Sequence, residues 1–213
     1  GVVSEEQEAR QIAQLIPGYS KLTYKSLTRF SEEIVNFELI VALVEHICFS
    51  QPEGAILIFM SGLAEITRLY EELTDDNTAI ARDGGIKIYP LHSSLSTAEQ
   101  KQIFDPAPKG YRKVVIATNI AETSITIDDI VYVIDTGRVK QTFYDERKRM
   151  KQLVETWVDQ ASMRQRKGRA GRVRPGKCFH LYTKIRSQAA FAEHKSPEMR
   201  RVPLEELCLQ IKA

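Results

Sequence analysis

Few cysteines, a single tryptophan and no long apolar run set the first limits on this chain of 213 residues. Cys48, Cys178 and Cys208 are odd in number, far apart and in apolar company. They read as reduced core thiols of an intracellular chain, cytoplasmic ahead of nuclear, rather than as disulfides or metal ligands. No apolar stretch approaches the roughly 18 residues that cross a bilayer, and the N-terminus carries no signal-peptide pattern, so no membrane partner is expected. His46, His92, His180 and His194 lack metal-ligand spacing and read as core or surface histidines. No Ser/His/Asp set can be argued either. A phosphate-cradling GxxxxGK[ST] loop is also missing. Gly171 to Cys178 has its spacing, but Cys178 stands where a Ser or Thr would hold Mg²⁺, and a strand rather than a helix should follow. No Asp-Glu pair follows a strand to bind that metal.

The chain is long enough for one well-buried core with a short appendage. Its hydrophobic content of 43% and charged content of 27% are ordinary for a globular protein. The net charge of +2 hides an uneven distribution. From Arg138 to Lys177 there are thirteen Lys/Arg against four Asp/Glu, a local +9 that leaves the remainder at −7. Such a segment is an electrostatic footprint for phosphate, whether of nucleotide or nucleic acid.

Strands and helices alternate along most of the chain. Ser4 to Ile16 reads as a polar helix closed by Pro17-Gly18, with little periodicity after it. Asn36 to Phe49 carries Phe37, Ile40, Val41, Val44, Ile47 and Cys48 at helical spacing. Gly54 to Met60 is an unbroken apolar run, the signature of a strand buried on both faces. Leu63 to Leu73 follows as a helix with Ile66, Leu69, Tyr70 and Leu73 inward. Ile86 to Leu91 predicts a strand, and Ser96 to Phe104 a helix opened at capping-box spacing by Ser96 and Glu99. Lys113 to Ala117 and Ile130 to Ile134 are further strands. Val139 to Val158 reads as a two-stranded excursion turning near Asp145-Glu146, with Trp157 as a packing residue. Lys177 to Tyr182 supplies one more strand, and Pro203 to Lys212 a helix. The pattern implies a mostly parallel α/β sheet covered on both faces.

Ligands in such sheets sit beyond the carboxyl ends of the strands. Ser61-Gly62 follows the first strand there, and Thr118 to Ser124 follows the third with hydroxyls and backbone N–H groups suited to phosphate oxygens. The run Gln165-Arg166-Lys167-Gly168-Arg169-Ala170-Gly171-Arg172 precedes the last strand. If helical, at about 100° per residue, it gathers Gln165, Arg169 and Arg172 within about 60° of one another. Gly168 and Gly171 beside them, each costing a helix roughly 1 kcal/mol, suggest that a polyphosphate approaches the backbone. The chain thus has groups to stabilise a transferring phosphate and lacks those that bind it first.

These residues carry a resemblance. Phe59-Met60-Ser61-Gly62-Leu63-Ala64-Glu65-Ile66 looks like motif IV, Ala117 to Asp128 like motif V and Gln165 to Arg172 like motif VI of the second RecA-like domain of superfamily 2 DEAH/RHA-type RNA helicases. The likeness runs from about Glu53 to the end, where Arg201 to Leu207 resembles the opening of a winged-helix domain. Residues 1–35 match no named pattern, and Ser61 departs from the proline usual in motif IV. The resemblance implies a lead-in over 1–35, a RecA-like lobe over 36–200 with a β-hairpin excursion, and the start of a truncated winged-helix domain over 201–213.

It also implies an activity. ATP, or another NTP, would lie with Mg²⁺ between this lobe and a first RecA-like lobe that holds the metal. Arg169 and Arg172 would be arginine fingers, and Gln165 would orient the attacking water. Thr126 and Asp128 would hold the ribose hydroxyls and Phe104 would stack on the base; without the resemblance, Phe104 reads as an ordinary core residue. Ser61, Gly62, Thr118 and Thr123 would meet RNA phosphates and sugars. Movement 3′ to 5′ and an activator protein are further family traits, and the lobe alone should be inactive. Two alternatives remain open at this stage: a RecA-like lobe that lost catalysis and scaffolds RNA or protein, and a DNA translocase on the same lobes.

Overall fold

The structure is a computed structural model that describes residues 4–83, 85–145 and 147–194. The expected winged-helix start over 201–213 and the helix from Pro203 lie outside the described residues, as do the last residues of the 36–200 lobe.

Five parallel strands form the centre in the order β2-β3-β1-β4-β7. They are β1 (Ala55–Phe59), β2 (Ile86–Leu91), β3 (Arg112–Ala117), β4 (Ile130–Asp135) and β7 (Lys177–His180). The apolar run predicted to be buried on both faces is β1, and all five of its residues are buried. Its side chains alternate between the two layers, as the two-residue period requires. Ile56 and Ile58 join Ile40, Val44 and Ile47 of α3 (Phe37–Ser50) and Ile66, Leu69 and Leu73 of α4 (Leu63–Thr74). Ala55, Leu57 and Phe59 face Ile103 and Ala121 on the other side. Tyr70, expected to point inward, is 42% exposed: it flanks the apolar stripe and keeps its hydroxyl in water.

α6 (Thr97–Gln102) carries the expected capping box between Ser96 and Glu99. α1 (Glu5–Leu15) is likewise boxed, by Ser4 and Gln7. Four further helices had no periodic signal: α2 (Lys21–Arg29), α5 (Ala79–Asp83), α7 (Ile120–Thr123) and α9 (Lys184–Ala190). The excursion is an antiparallel pair, β5 (Arg138–Asp145) with β6 (Met150–Trp157). Trp157 packs at its base, with the Arg138 guanidinium 3.5 Å over its ring and Tyr182 and Phe191 beside it.

One expectation fails in detail. α8 (Gln160–Lys167) ends at Gly168, so Arg169 and Arg172 lie beyond the helix rather than on its face. Gly171 has φ +83 and closes a turn tightly against Gly176, so its role is backbone geometry and not an approach by ligand.

Candidate functional site

The carboxyl ends of β1, β3 and β4 meet the start of α7 and the end of α8. Thr118 follows β3 and donates its backbone N–H to Leu91, while Met60 after β1 donates to Ala117. The chain then turns through α7 and on to Thr126 and Asp128.

Arg169 and Arg172 converge on this segment although no helix joins them. Arg169 is 8% exposed and donates to the carbonyls of Ile125, at 3.1 Å, and Glu122. Arg172 is exposed and donates to the Thr126 hydroxyl at 3.1 Å. Burial and the neighbouring Arg172 cation hold the Arg169 pKa below its ordinary value, against the pull of Glu122. Thr123, Thr126 and Asp128 are exposed beside them, and Thr118 is half-buried. Gln165 is exposed on the last turn of α8, and Phe104 is 50% exposed just after α6. Its neighbour Ile103 fills the core instead, so Phe104 is free to meet a planar ligand. Among the described residues, no hydrogen bond joins Gln165, Phe104 or Asp128 to the arginine pair.

Ser61 and Gly62 lie under the hairpin. Ser61 is 5% exposed and donates its hydroxyl to Glu155 of β6. Lys140 of β5 pairs with both oxygens of Glu65 at 2.8 Å, and a side chain at Gly62 would collide with that pair.

Sequence reasoning missed the centre of the site. Arg166 is fully buried and donates to Glu122 and to Asp135, each at 2.8 Å. Burial alone would lift the pKa of Asp135. Arg166, with hydrogen bonds accepted from His180 and Tyr182, outweighs it and holds the carboxyl well below the usual range. Burial beside that carboxylate raises the Tyr182 pKa. It also pushes the Cys178 thiol up to about 12, so its sulfur, 3.8 Å from His180 Nε2, is no nucleophile at neutral pH. A signal was present: a strand buried along its whole length that ends in aspartate demands a buried cation.

A parallel sheet with phosphate-suited hydroxyls and guanidiniums at its carboxyl edge, and a hairpin folded over that edge, defines a RecA-like helicase lobe. Residues 37–174 match the family described as helicase conserved C-terminal domain, and the chain belongs to that family. It is 48% identical to the human "Putative ATP-dependent RNA helicase DHX57", over 99% of this chain and 16% of that protein. It is 43% identical to the human "ATP-dependent DNA/RNA helicase DHX36", over 99% of this chain and 20% of that one. The Escherichia coli DEAH/RHA helicase HrpB superposes with a TM-score of 0.71 at 38% identity, covering 83% of this chain and 22% of that structure. The chain therefore spans about a sixth to a fifth of the length of these relatives, at the position of the C-terminal lobe of DExH-type RNA helicases.

Proposed function

We propose that this chain is the C-terminal motor lobe of an ATP-dependent RNA helicase and supplies the arginine fingers and part of the RNA path. The observation that carries the reading is the convergence of Arg169 and Arg172 on the segment that also bears Thr126 and Asp128. Arg172, exposed and tied by one hydrogen bond, swings from Thr126 to the γ-phosphoryl as its bond breaks. That release frees the Thr126 hydroxyl for the ribose, with Asp128 beside it. Gln165 orients the water and Phe104 stacks on the base. Phosphoryl transfer is mostly positioning and charge stabilisation, and a supplied arginine is worth about 10³–10⁵ in rate.

The exposed Thr123 and half-buried Thr118 meet the RNA backbone. Ser61 and Gly62 join them when a phosphate displaces the Glu155 carboxylate. Such contacts are sequence-blind and salt-sensitive. Among the described residues no group of three or more His, Cys, Asp or Glu side chains is placed to hold a metal ion. Mg²⁺ is assigned to a first lobe, and no step is routed through it here.

In the full-length protein, Arg172→Ala should lower RNA-stimulated ATP hydrolysis at least about a hundredfold while RNA affinity changes little. Near-normal turnover overturns the finger assignment, and hydrolysis by the 213-residue chain alone overturns its incompleteness. The relative named for both DNA and RNA makes parallel stimulation assays with the two polymers the arm that fixes the substrate class.

A further inference from the structure

Arg166 has the largest fully buried side chain among the described residues. Its single guanidinium touches four elements. Nε donates to Glu122 of α7 at 2.8 Å, and Nη1 to Asp135 at the end of β4 at 2.8 Å. Nη2 donates to the carbonyl of Arg138, at the base of the hairpin, at 3.2 Å. The guanidinium carbon sits 4.8 Å from the centre of the Phe59 ring, at the end of β1.

Three of these four contacts, those to Glu122, Phe59 and Arg138, adjoin a group with a proposed task. Glu122 precedes Thr123, and its own carbonyl is held by Arg169. Phe59 lies two residues before Ser61. Arg138 opens the hairpin whose Lys140 and Glu155 cover Ser61 and Gly62. Arg166 itself follows Gln165 and stands three residues before Arg169. The elements proposed to face nucleotide and RNA are therefore pinned to one planar cation that is itself fully buried. A guanidinium donates in a fixed fork, so a shift of α7 must move α8 and the hairpin base or break a charge-assisted bond. A lysine keeps the charge but loses that geometry.

We infer that Arg166 is a positioning residue that couples RNA engagement at Ser61, Thr118 and Thr123 to nucleotide hydrolysis at Arg169 and Arg172. The inference rests on the function proposed above. Its test uses the full-length protein carrying Arg166→Lys and, separately, Glu122→Gln, which keeps an oxygen acceptor and removes the charge. ATP hydrolysis is measured with and without single-stranded RNA. Binding of a non-hydrolysable ATP analogue is measured under the same two conditions, and thermal melting reports folding.

Coupling between binding sites is reciprocal, so the RNA-induced gain in analogue affinity should fall with the analogue-induced gain in RNA affinity. The RNA-stimulation ratio should fall as well, because the same pinned elements carry it. At a coupling of ordinary size each falls at least about fivefold. A purely structural Arg166 would lower both rates by one factor, and a stimulation ratio within about twofold of wild type overturns the inference. If Arg166→Lys fails to melt as a folded protein, the ratio in Glu122→Gln decides alone. Failure of the parent reading looks different: the unmodified protein itself would show no stimulation by RNA.

Discussion

The two ends of the sheet use their cations for different purposes. At the amino ends of β1 and β3, Arg112 donates to the carbonyls of Gln51, Pro52 and Gly54, and Arg174 to that of Glu53. These bonds satisfy the carbonyls left open just past the end of α3. Lys113, its side chain 1% exposed, pairs with Asp129, which is 43% exposed, at the wall of a cavity of about 680 Å³. At the carboxyl ends the charges are buried together. Arg166 and Asp135 are both at 0% exposure and Glu122 at 10%. The first arrangement finishes local backbone and leaves an anion in water. The second ties remote elements to each other around the site, and it fails as a unit.

The sharpest way to break the comparison is to delete one charge at each end. Asp135→Ala leaves Arg166 buried with one partner gone and should destabilise the fold by about 3–5 kcal/mol. Lys113→Met leaves an anion that water already solvates, and it should cost less than about 1 kcal/mol. Denaturant unfolding of the two variants checks both, and equal losses would erase the distinction.

Acid provides a gentler version. The folded pKa of Asp135 is depressed below its unfolded value. Its contribution is therefore fully present above the unfolded pKa of about 4 and is lost as pH falls through the folded one. Between about pH 4 and the acid limit, wild type should lose up to about 1.4 kcal/mol per pH unit more than Asp135→Asn. Melting curves of the pair across that range test the sign, and parallel curves would mean that the carboxylate is not held ionised by Arg166.

The same contrast explains what could be read in advance. β1 is legible because it is apolar throughout, β4 because it is apolar from Ile130 to Ile134, just before Asp135, and α3 because Phe37, Ile40, Val44 and Ile47 recur at helical spacing. α2 and α9 did not, because each buries a single residue, Tyr24 or Ser187, and leaves no stripe. Arg169 and Arg172 meet not on a shared helix face, as their spacing predicts, but on a shared acceptor segment at 122–126. Arg166 was overlooked because its partners lie 31 and 44 residues away in the chain. Spacing rules capture neighbours on one element, whereas the site is assembled by the order of strands.

A smaller effect sharpens the comparison from the ligand side. Glu155 holds the Ser61 hydroxyl and so presents a carboxylate on the RNA path proposed above. Removing it frees one hydrogen-bond donor and one repulsive charge. At about 1 kcal/mol for the hydrogen bond, Glu155→Ala should tighten RNA binding by about two- to tenfold. A fluorescence titration with a short labelled RNA at fixed low salt measures it. Unchanged affinity would separate Ser61 from the RNA path and leave its bond to Glu155 as a hairpin anchor only.

The smallest effect belongs to the lead-in, where charges form pairs without burial. Arg29 donates to Glu5 at 2.6 Å, yet the two side chains are 69% and 38% exposed, and α1 buries no residue. The Glu5 pKa is lowered, chiefly by that hydrogen bond, but water and salt screen the attraction and both side chains lose freedom in forming it. Arg29→Ala should leave the melting midpoint unchanged within error. Glu32 is different: it accepts the Thr183 N–H and the Arg186 guanidinium while its carbonyl takes Arg138. Glu32→Ala should therefore lower the midpoint where Arg29→Ala does not. A short bond is no measure of what a contact contributes unless water has been removed from it.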